Sequence, residues 1–302
     1  MHPSLRAICA FLALSGCAFA APLLHPMFQD HAVLQRDKPI NVYGDAPAGA
    51  HLTVTLADAK AEATAGADGH WKAVLPAMAA GGPYTLDVRS DSGAEQKADD
   101  VLVGDVFLCS GQSNMQLSVK GAGDVAAELR AATDSQIRNL NVTDHPSTTP
   151  LGAFADPVKW VVESPETAGD FSAACFYFAR ELKKTVHVPI GMVMASWGGT
   201  RLSNWLSEDA LRKLDYFKDS LDALDLYRTD PQAGQERWEA SWRAWWKAHF
   251  NDEPWTPSFN DKDWPTAPQA LGPWALWNGT SPDGFVGQTW MRTTVTLTAA
   301  QA

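Results

Sequence analysis

Hydrophobic and polar residues alternate in short runs along the first part of the chain. Between about Leu24 and Asp99, these runs are separated by clusters of glycine, proline and aspartate. The pattern is typical of half-buried strands joined by turns, and strands at this spacing predict a small β-sandwich. The predicted strands are Ile40–Tyr43, Leu52–Leu56, Trp71–Leu75 and Tyr84–Val88.

From residue 101 to about residue 230 the pattern changes to continuous apolar runs separated by amphipathic segments. Strands separated by helices form right-handed crossovers, so this part predicts a parallel sheet of the α/β class. The predicted strands are Val101–Cys109, Ile137–Val142 and Ile190–Ala195. The predicted helices are Asp124–Ala132 and Phe171–Lys184, the second with Ala174, Phe178 and Leu182 on one face.

A long irregular segment, Asp144–Asp170, interrupts this alternation and contains Trp160. A loop of this length inside a compact domain is usually functional or folded onto the surface. In an α/β sheet, ligands bind where the parallel strands have their carboxyl ends. We therefore look for the functional site at that edge.

Beyond Ser207 the chain is predicted to be helical, with Pro231 separating two helices. The second helix carries aromatic residues on one face: Trp238, Trp242, Trp245 and His249. Such a stripe can line a sugar groove, but a packed helix face explains it equally well and is the preferred interpretation. Trp255–Ala302 then changes to many prolines, glycines and tryptophans, and Trp290–Leu297 alternates like a strand.

The first twenty residues have the features of a targeting segment. A weak positive charge at Arg6 precedes a short apolar run, and Ala18-Phe19-Ala20 is typical of a cleavage site before Ala21. Leu14-Ser15-Gly16-Cys17 also resembles a bacterial lipobox, in which Cys17 would be lipidated. Simple cleavage is preferred, and either interpretation predicts an exported protein, periplasmic or extracellular.

Composition narrows the possible partners. The 302 residues include 45% hydrophobic and 20% charged residues, which fits about two globular domains. The formal net charge of −11 argues against a nucleic acid partner, and no stretch after the leader is apolar enough to span a bilayer. Cys9 and Cys17 lie in the leader. Cys109 and Cys175 could pair in an exported protein, but one lies at a strand end and the other inside a predicted helix, so they are expected to be buried free thiols.

The candidate chemistry begins where the Val101–Cys109 strand ends. A turn at Ser110-Gly111 is followed by Ser113 between Gln112 and Asn114. A serine just past a buried strand is where α/β hydrolases present a nucleophile, although Met115 replaces the second glycine of G-x-S-x-G. For a lone Gly-x-Ser, a polar turn without chemistry would be the better explanation.

A second turn, Ser196–Thr200, follows the Ile190–Ala195 strand in the same way. Its paired glycines, Gly198 and Gly199, would let a backbone N–H approach a reacting oxygen, as an oxyanion hole requires. A tight turn with no chemistry is the alternative. Arg201 could bind a substrate carboxylate, but a surface arginine beginning a helix is the simpler explanation.

These motifs together resemble the sialate O-acetylesterase family of SGNH hydrolases. The resemblance rests on SGQSNM at Ser110–Met115, PIGMVMASWGGTRLSNWL at Pro189–Leu206 and HPMFQDHAVLQRDKP at His25–Pro39. It implies a serine esterase that removes acetyl groups from sugars without a metal or cofactor. Ser113 would be the nucleophile, supported by Gln112 and Asn114. The oxyanion would be held by Ser113 N–H and the amide of Gly198 or Gly199, between which the sequence does not choose.

The resemblance also implies a domain order. The sequence predicts a signal peptide at residues 1–20, a β-sandwich at 21–100, the first part of an SGNH-like α/β domain at 101–250, and a truncated jelly-roll module at 251–302. FNDKDWP at Phe259–Pro265 and GQTWMRTTVTL at Gly287–Leu297 resemble the start of that module. The early histidines His25 and His31 are expected to be structural.

A catalytic base is missing from this pattern. In SGNH enzymes an acidic residue generally stands three positions before the histidine, but Val142, Lys184 and Trp246 precede His145, His187 and His249. The family's histidine comes after the inserted module, so the sequence predicts the front portion of an esterase, inactive by itself. The alternative is a non-catalytic sugar-binding or interaction protein that retains the fold. If the chain is active after all, His145 is the first candidate for the base.

Overall fold

The computed structural model describes residues 22–123, 125–267 and 290–301. The chain divides into two units, one up to Leu211 and the other from Arg212. The predicted leader, with Cys9 and Cys17, lies outside the described residues. Each unit is described by itself.

The first unit begins with short strands whose alternating side chains follow the sequence pattern. These strands are β1 Val33–Gln35, β2 Ile40–Asp45, β3 His51–Leu56, β4 Ala59–Thr64, β5 His70–Leu75 and β6 Gly81–Ser90. Strands β2 and β5 pair as a separate two-stranded sheet, and the others join a larger one. Val42, Val54, Leu75 and Leu86 are fully buried in one core shared by both sheets. The strands predicted here are confirmed, while their assignment to a sandwich stays a prediction.

Strand β7, Glu95–Gly111, joins this region to the α/β part of the unit. Its first half pairs antiparallel with β6, and its second half, from Asp105, pairs parallel with a later strand. The strand therefore runs through position 100 without a break. The predicted boundary between residues 100 and 101 stays a prediction.

The α/β part adds three strands and three helices to β7. They are α1 Ser113–Gln116, α2 Ala126–Arg130, β8 Ile137–Asn141, β9 Trp160–Val162, α3 Ala173–Lys183 and β10 Ile190–Ser196. The large sheet has the order β4-β3-β6-β7-β10-β8-β9, with β1 paired to β7. Strands β7, β10 and β8 are parallel, and β9 is antiparallel. The predicted α/β class is confirmed, and the predicted parallel pairing holds for β7, β10 and β8, whereas the pairs of β9 with β8 and of β6 with β7 are antiparallel.

Helix α3 buries a different face from the predicted one. Ala173, Cys175, Phe176 and Ala179 are buried, at spacings of three and four residues. Phe178 is 45% exposed, and its ring contacts that of Phe107. The predicted face of Ala174, Phe178 and Leu182 is therefore not the buried one, although Leu182 packs partly against the core.

Cys109 and Cys175 form a disulfide, with their Cα atoms 6.4 Å apart. The expectation of two free thiols is therefore wrong. Cys109 lies near the end of β7 and Cys175 on the buried face of α3, so the packing of the helix on the sheet brings them together. Sequence alone placed one on a strand and the other on a helix, without showing that these two elements pack directly.

The long segment after β8 packs against the residues that precede β1. Trp160 donates its ring N–H to the carbonyl of Met27, 2.9 Å away, and Gln29 donates to the carbonyl of Val158. Only β9 and a 3₁₀ turn at Ala168–Asp170 are regular in this segment. The segment thus folds back onto the unit, and a functional role for it stays a prediction.

The second unit is helical in its first part, as predicted. Helix α4, Glu208–Leu211, precedes it, and α5 Lys218–Thr229 and α6 Pro231–His249 follow. Pro231 is the first residue of α6, and Asp230 caps it by accepting from the Ala233 N–H. The predicted separation of two helices at Pro231 is confirmed.

The aromatic stripe of α6 is only partly packed. Trp238 and Trp245 are about half exposed, whereas Trp246, which the predicted stripe omitted, is buried. Trp246 and Trp242 contact Trp255 with ring centres 5.3 and 5.1 Å apart. The preferred interpretation of the whole stripe as a packed face is wrong for its three exposed members, Trp238, Trp245 and His249.

The strand predicted at Trp290–Leu297 does not form; these residues are irregular. A strand needs a neighbour to satisfy its backbone groups, and the described residues of this unit provide none. Residues 268–289, which include the first part of GQTWMRTTVTL, lie outside the described residues. The jelly-roll assignment stays a prediction. Among the helices of the described ranges, none has the length and apolar character needed to cross a membrane.

Candidate functional site

Ser113 begins helix α1, two residues after the carboxyl end of β7. Gly111 makes the turn with φ 142°, a backbone conformation that side-chain-bearing residues rarely adopt. A Cβ at Gly111 would also lie 2.9 Å from Cγ of Met115. The sharp turn leaves Ser113 exposed at the edge of the sheet, where the sequence placed it.

Gln112, the preceding residue, accepts the hydrogen bonds of both the N–H and the Oγ–H of Ser113. Ser113 Oγ donates to Gln112 Oε1 over 2.8 Å, and Ser113 N–H donates to the same oxygen over 3.0 Å. Gln112 thereby caps the short helix. Asn114 is exposed, and its side chain forms no hydrogen bond within the described part of the chain. Their supporting roles stay predictions.

The second turn lies directly beside Ser113 because β10 pairs with β7. Ser196 stands opposite Gly111 in the parallel register, and Trp197 N–H donates to the Gly111 carbonyl over 2.9 Å. A Cβ built on Gly198 would lie 3.7 Å from both Cα and Cβ of Ser113. The structure thus brings together the two motifs that the sequence places at this edge.

Gly198 and Gly199 have different surroundings. Gly198 lies against Ser113, whereas a Cβ on Gly199 would have nothing within 4 Å. Gly199 instead has φ 78°, which makes the turn possible. Contact with Ser113 therefore favours Gly198 as the oxyanion donor and gives Gly199 a conformational role.

Two residues that the sequence reasoning missed also reach this site. Gln116 Oε1 accepts the Gly198 N–H over 2.8 Å, and Gln116 Nε2 donates to Asp144 Oδ2 over 2.7 Å. Gln116 lies three positions after Ser113, so the same face of α1 presents both side chains. That spacing was the available signal for Gln116, whereas nothing in the sequence pointed to Asp144.

Arg201 lies just before a 3₁₀ turn, Leu202–Trp205, and is exposed. Its N–H donates to Oδ1 of Asn204 over 2.8 Å. This matches the interpretation of a surface arginine that begins a helical segment.

None of the histidines in the described ranges makes a hydrogen bond with Ser113. His145 Nδ1 lies 3.5 Å from Asp156 Oδ2, and His249 Nδ1 lies 2.7 Å from the Trp245 carbonyl oxygen. His31 Nδ1 lies 2.7 Å from Asp100 Oδ2, and Asp100 also binds the buried Arg138. The described residues therefore show no serine–histidine pair.

A cleft of about 970 Å³ lies where β8 begins, at the opposite end of that strand from its carboxyl edge. Its lining includes Glu128, Glu163, Arg180 and Lys183. Glu163 is 4% exposed, and burial raises its pKa from the ordinary 4.5 to about 7. In the described ranges, no three histidine, cysteine, aspartate or glutamate side chains group to hold a metal ion.

Comparison with known proteins matches the central part of the chain to a family of carbohydrate esterases. Residues 103–227 match the family described as a carbohydrate esterase, sialic acid-specific acetylesterase. This range contains both Ser113 and the Gly198 turn. The predicted resemblance to an esterase family is confirmed.

Curated relatives and a solved structure extend the match. The sialate O-acetylesterase of Rattus norvegicus is 34% identical over 202 residues, which cover 61% of this chain and 37% of the rat protein. The Homo sapiens protein of the same name is 33% identical over 189 residues, covering 57% and 36%. A crystal structure of a carbohydrate acetylesterase from Xanthomonas citri is 40% identical with a TM-score of 0.61, covering 64% of this chain and 44% of that one. The chain thus spans less than half the length of each of these relatives.

Proposed function

Since residues 103–227 match the sialic acid-specific acetylesterase family, we propose that this chain is a carbohydrate O-acetylesterase with Ser113 as its nucleophile. The observation that carries the proposal is the contact between two strand ends. Ser113 and Gly198 lie side by side at the carboxyl edge of β7 and β10. Ligands of α/β sheets bind at this edge, and acyl transfer needs a nucleophile beside an N–H donor.

The proposed reaction begins with attack of Ser113 Oγ on the carbonyl carbon of an acetylated sugar. The carbonyl electron pair moves to oxygen, where the N–H groups of Ser113 and Gly198 stabilise the negative charge. The sugar hydroxyl then leaves with a proton, and acetyl-Ser113 remains. Water attacks that ester, releases acetate and restores Ser113. A base must take the Oγ proton in the first step and the water proton in the second.

We propose that the chain by itself turns over slowly because no base among the described residues contacts Ser113. Ser113 Oγ donates to a neutral glutamine oxygen, which is a poor proton acceptor. A hydrolase site without a complete triad can still keep ~10³–10⁴-fold over water through its oxyanion hole and binding. His145, which is paired with Asp156 in the loop after β8, would be the first base to test if turnover is fast.

The test compares hydrolysis of p-nitrophenyl acetate and an acetylated sugar by the wild-type chain and Ser113→Ala. Wild type should release acetate slowly and accumulate an acetyl group on Ser113, visible by peptide mass spectrometry. In Ser113→Ala this acetyl group should be absent, and acetate release should fall to what the oxyanion hole and binding alone supply. Ser110→Ala is the matched control, because Ser110 lies in the same motif but on β7. A wild-type chain in which Ser113 never becomes acetylated would overturn the proposal.

A non-catalytic sugar-binding protein is the second candidate. The observation that favours it is that Ser113 Oγ–H, Ser113 N–H and Gly198 N–H are all already bound by glutamine side chains. Such a protein would bind an acetylated sugar equally well as wild type and as Ser113→Ala, without releasing acetate. Calorimetry of both proteins with the same sugar separates this candidate from the esterase.

We also propose that the protein is exported, with cleavage before Ala21 and lipidation of Cys17 as the alternative. The Cys109–Cys175 disulfide supports export, since such bonds persist in oxidising compartments. Intact-mass measurement of protein from a bacterial host distinguishes a mature chain that begins at Ala21 from one that begins at a lipidated Cys17. Retention of Met1 in the cytosol would contradict both.

A further inference from the structure

Three hydrogen-bond donors that the proposed reaction would use are occupied by side chains of the chain itself. Gln112 Oε1 accepts from Ser113 N–H and Ser113 Oγ–H. Gln116 Oε1 accepts from Gly198 N–H. Both acceptors are neutral amide carbonyl oxygens, which resemble the carbonyl oxygen of an ester in charge and geometry.

Gln116 places its oxygen close to the proposed reacting groups. A Cβ on Gly198 would lie 2.7 Å from Gln116 Oε1 and 3.7 Å from Ser113 Cβ. The amide oxygen and the serine therefore contact the same glycine. Gln116 Oε1 now accepts the hydrogen bond from Gly198 N–H. An oxyanion bound to the same N–H would have to occupy the same position.

Asp144 holds the other end of the Gln116 amide. Gln116 Nε2 donates to Asp144 Oδ2 over 2.7 Å, and a hydrogen bond to a carboxylate is stronger than one between neutral groups. Asp144 follows β8, Gln116 follows β7 and Gly198 follows β10. One side chain thus connects three segments at the carboxyl ends of three parallel strands.

We propose that Gln116 is a positioning residue that fills the oxyanion site of the unliganded chain, and that the substrate carbonyl replaces it on Gly198 N–H. The inference rests on the proposed function for its ligand class, an acetyl group. Because one N–H donates a single strong hydrogen bond, Gln116 and the ligand compete for it. Asp144 fixes the Gln116 amide in the competing position.

Binding of acetate, the product of the proposed reaction, tests this competition. The full chain is labelled with ¹⁵N-glycine, and acetate is titrated while the Gly198 amide signal is followed by NMR. In Gln116→Ala the Gly198 proton should move upfield because its acceptor is gone, and acetate should return it downfield. The acetate affinity should rise about three- to tenfold, the factor that one ordinary hydrogen bond gives. Gln136→Ala, an exposed glutamine before β8, should change neither quantity.

The proposal that Gln116 competes with the ligand is wrong if Gln116→Ala binds acetate no more tightly than wild type. It is also wrong if acetate moves the Gly198 signal in neither protein. Should Gln116→Ala fail to fold, Asp144→Ala replaces it, since it frees the Gln116 amide without touching α1. Asp156→Ala is the control that removes an equal charge from the same loop. Asp144→Ala should bind acetate more tightly than Asp156→Ala, and equal affinities would overturn the inference.

The result is separable from the esterase test. Tighter acetate binding in Gln116→Ala, combined with hydrolysis that does not depend on Ser113, would support the competition and reject the esterase. Hydrolysis that depends on Ser113, combined with unchanged acetate affinity in Gln116→Ala, would support the esterase and reject the competition.

Discussion

At the scale of single residues, Glu163 stands out by its environment. It follows β9 with 4% of its surface exposed, and its Oε2 has no hydrogen-bond partner among the described residues. Burial disfavours the charged carboxylate most strongly, and nearby Asp134 adds repulsion, so the pKa rises to about 7. The folded chain therefore holds a proton that the unfolded chain has already lost between pH 4.5 and 7.

Stability should fall as the pH rises through this window, because the folded state binds more protons than the unfolded state. Glu163→Gln, a neutral side chain of the same shape, should raise the free energy of unfolding at pH 8 by as much as ~3 kcal/mol and change it little at pH 4. Urea unfolding at both pH values measures the difference.

The control for Glu163→Gln is Glu166→Gln, an exposed neighbour. A hydrogen bond from Ser164 lowers the pKa of Glu166, so its charge favours the folded state above the usual titration range. Glu166→Gln should give no gain at pH 8. An equal gain from both variants would show that net charge, rather than burial of Glu163, sets the pH dependence.

The candidate site also shows how far residue-level reasoning reaches. Ser113 and Gly198 could be placed at one edge because each follows a recognisable buried strand. The contact between Gln116 and Asp144 could not be predicted from the sequence. The two residues lie 28 positions apart, one at the end of α1 and the other in the segment after β8. A sequence shows which residues end strands, but not how the segments beyond those ends fold over one another.

At the scale of elements, the disulfide joins strand β7, which precedes Ser113, to helix α3. Cys109 precedes Ser113 by four residues on the chain, and Cys175 lies on the buried face of α3. The bond closes a loop with a sequence separation of 66, which restricts the unfolded chain. On the chain-entropy model such a loop contributes as much as ~4 kcal/mol.

Replacing both cysteines by alanine should therefore lower the melting temperature of the first unit by roughly 10 °C. Differential scanning calorimetry of the double variant Cys109→Ala/Cys175→Ala measures it. A reductant should lower the melting temperature of the wild-type chain and leave that of the double variant unchanged. If reductant has no effect on the wild-type chain, the two thiols are free, as the sequence had suggested.

Elements with a clear hydrophobic pattern were predictable, and those without one were missed. Strands β7, β8 and β10 were found from their apolar residues, most of which are buried, although Leu108 on β7 is 70% exposed. Strand β4, Ala59–Thr64, was missed because AKAEAT is rich in residues that favour helices. It forms at the end of the sheet, where pairing with β3 rather than burial holds it.

At the scale of the whole molecule, strand β7 connects the early strands to the proposed site within the first unit. Arg138 on β8 reinforces the junction by binding Asp100 on β7. Its Nη2 donates to both carboxylate oxygens of Asp100, each 3.0 Å away. Arg138 is buried, so an unpaired guanidinium there would be strongly unfavourable. The early strands and the α/β part therefore depend on one another, which the sequence pattern, read as two successive domains, does not show.

The charge of the whole molecule predicts how it meets its substrate. A formal net charge of −11 repels an anionic sugar such as a sialoside and leaves a neutral sugar unaffected. Raising the salt concentration of the assay from about 20 to about 500 mM shortens the electrostatic screening length from about 20 to about 4 Å. Binding of an acetylated sialoside to Ser113→Ala should then tighten by about two- to threefold, while binding of an acetylated neutral glucoside should stay constant.

Calorimetry at the two salt concentrations measures both sugars on the same protein. Weaker binding of the sialoside at high salt would contradict the prediction, since it would require a local positive group that outweighs the net charge. Arg201 is the exposed cation of the Gly198 turn, and in that case Arg201→Ala should abolish the salt dependence. If binding of the sialoside instead tightens with salt whether or not Arg201 is replaced by alanine, Arg201 does not bind the substrate carboxylate. Its position before the Leu202–Trp205 turn then explains the presence of this arginine.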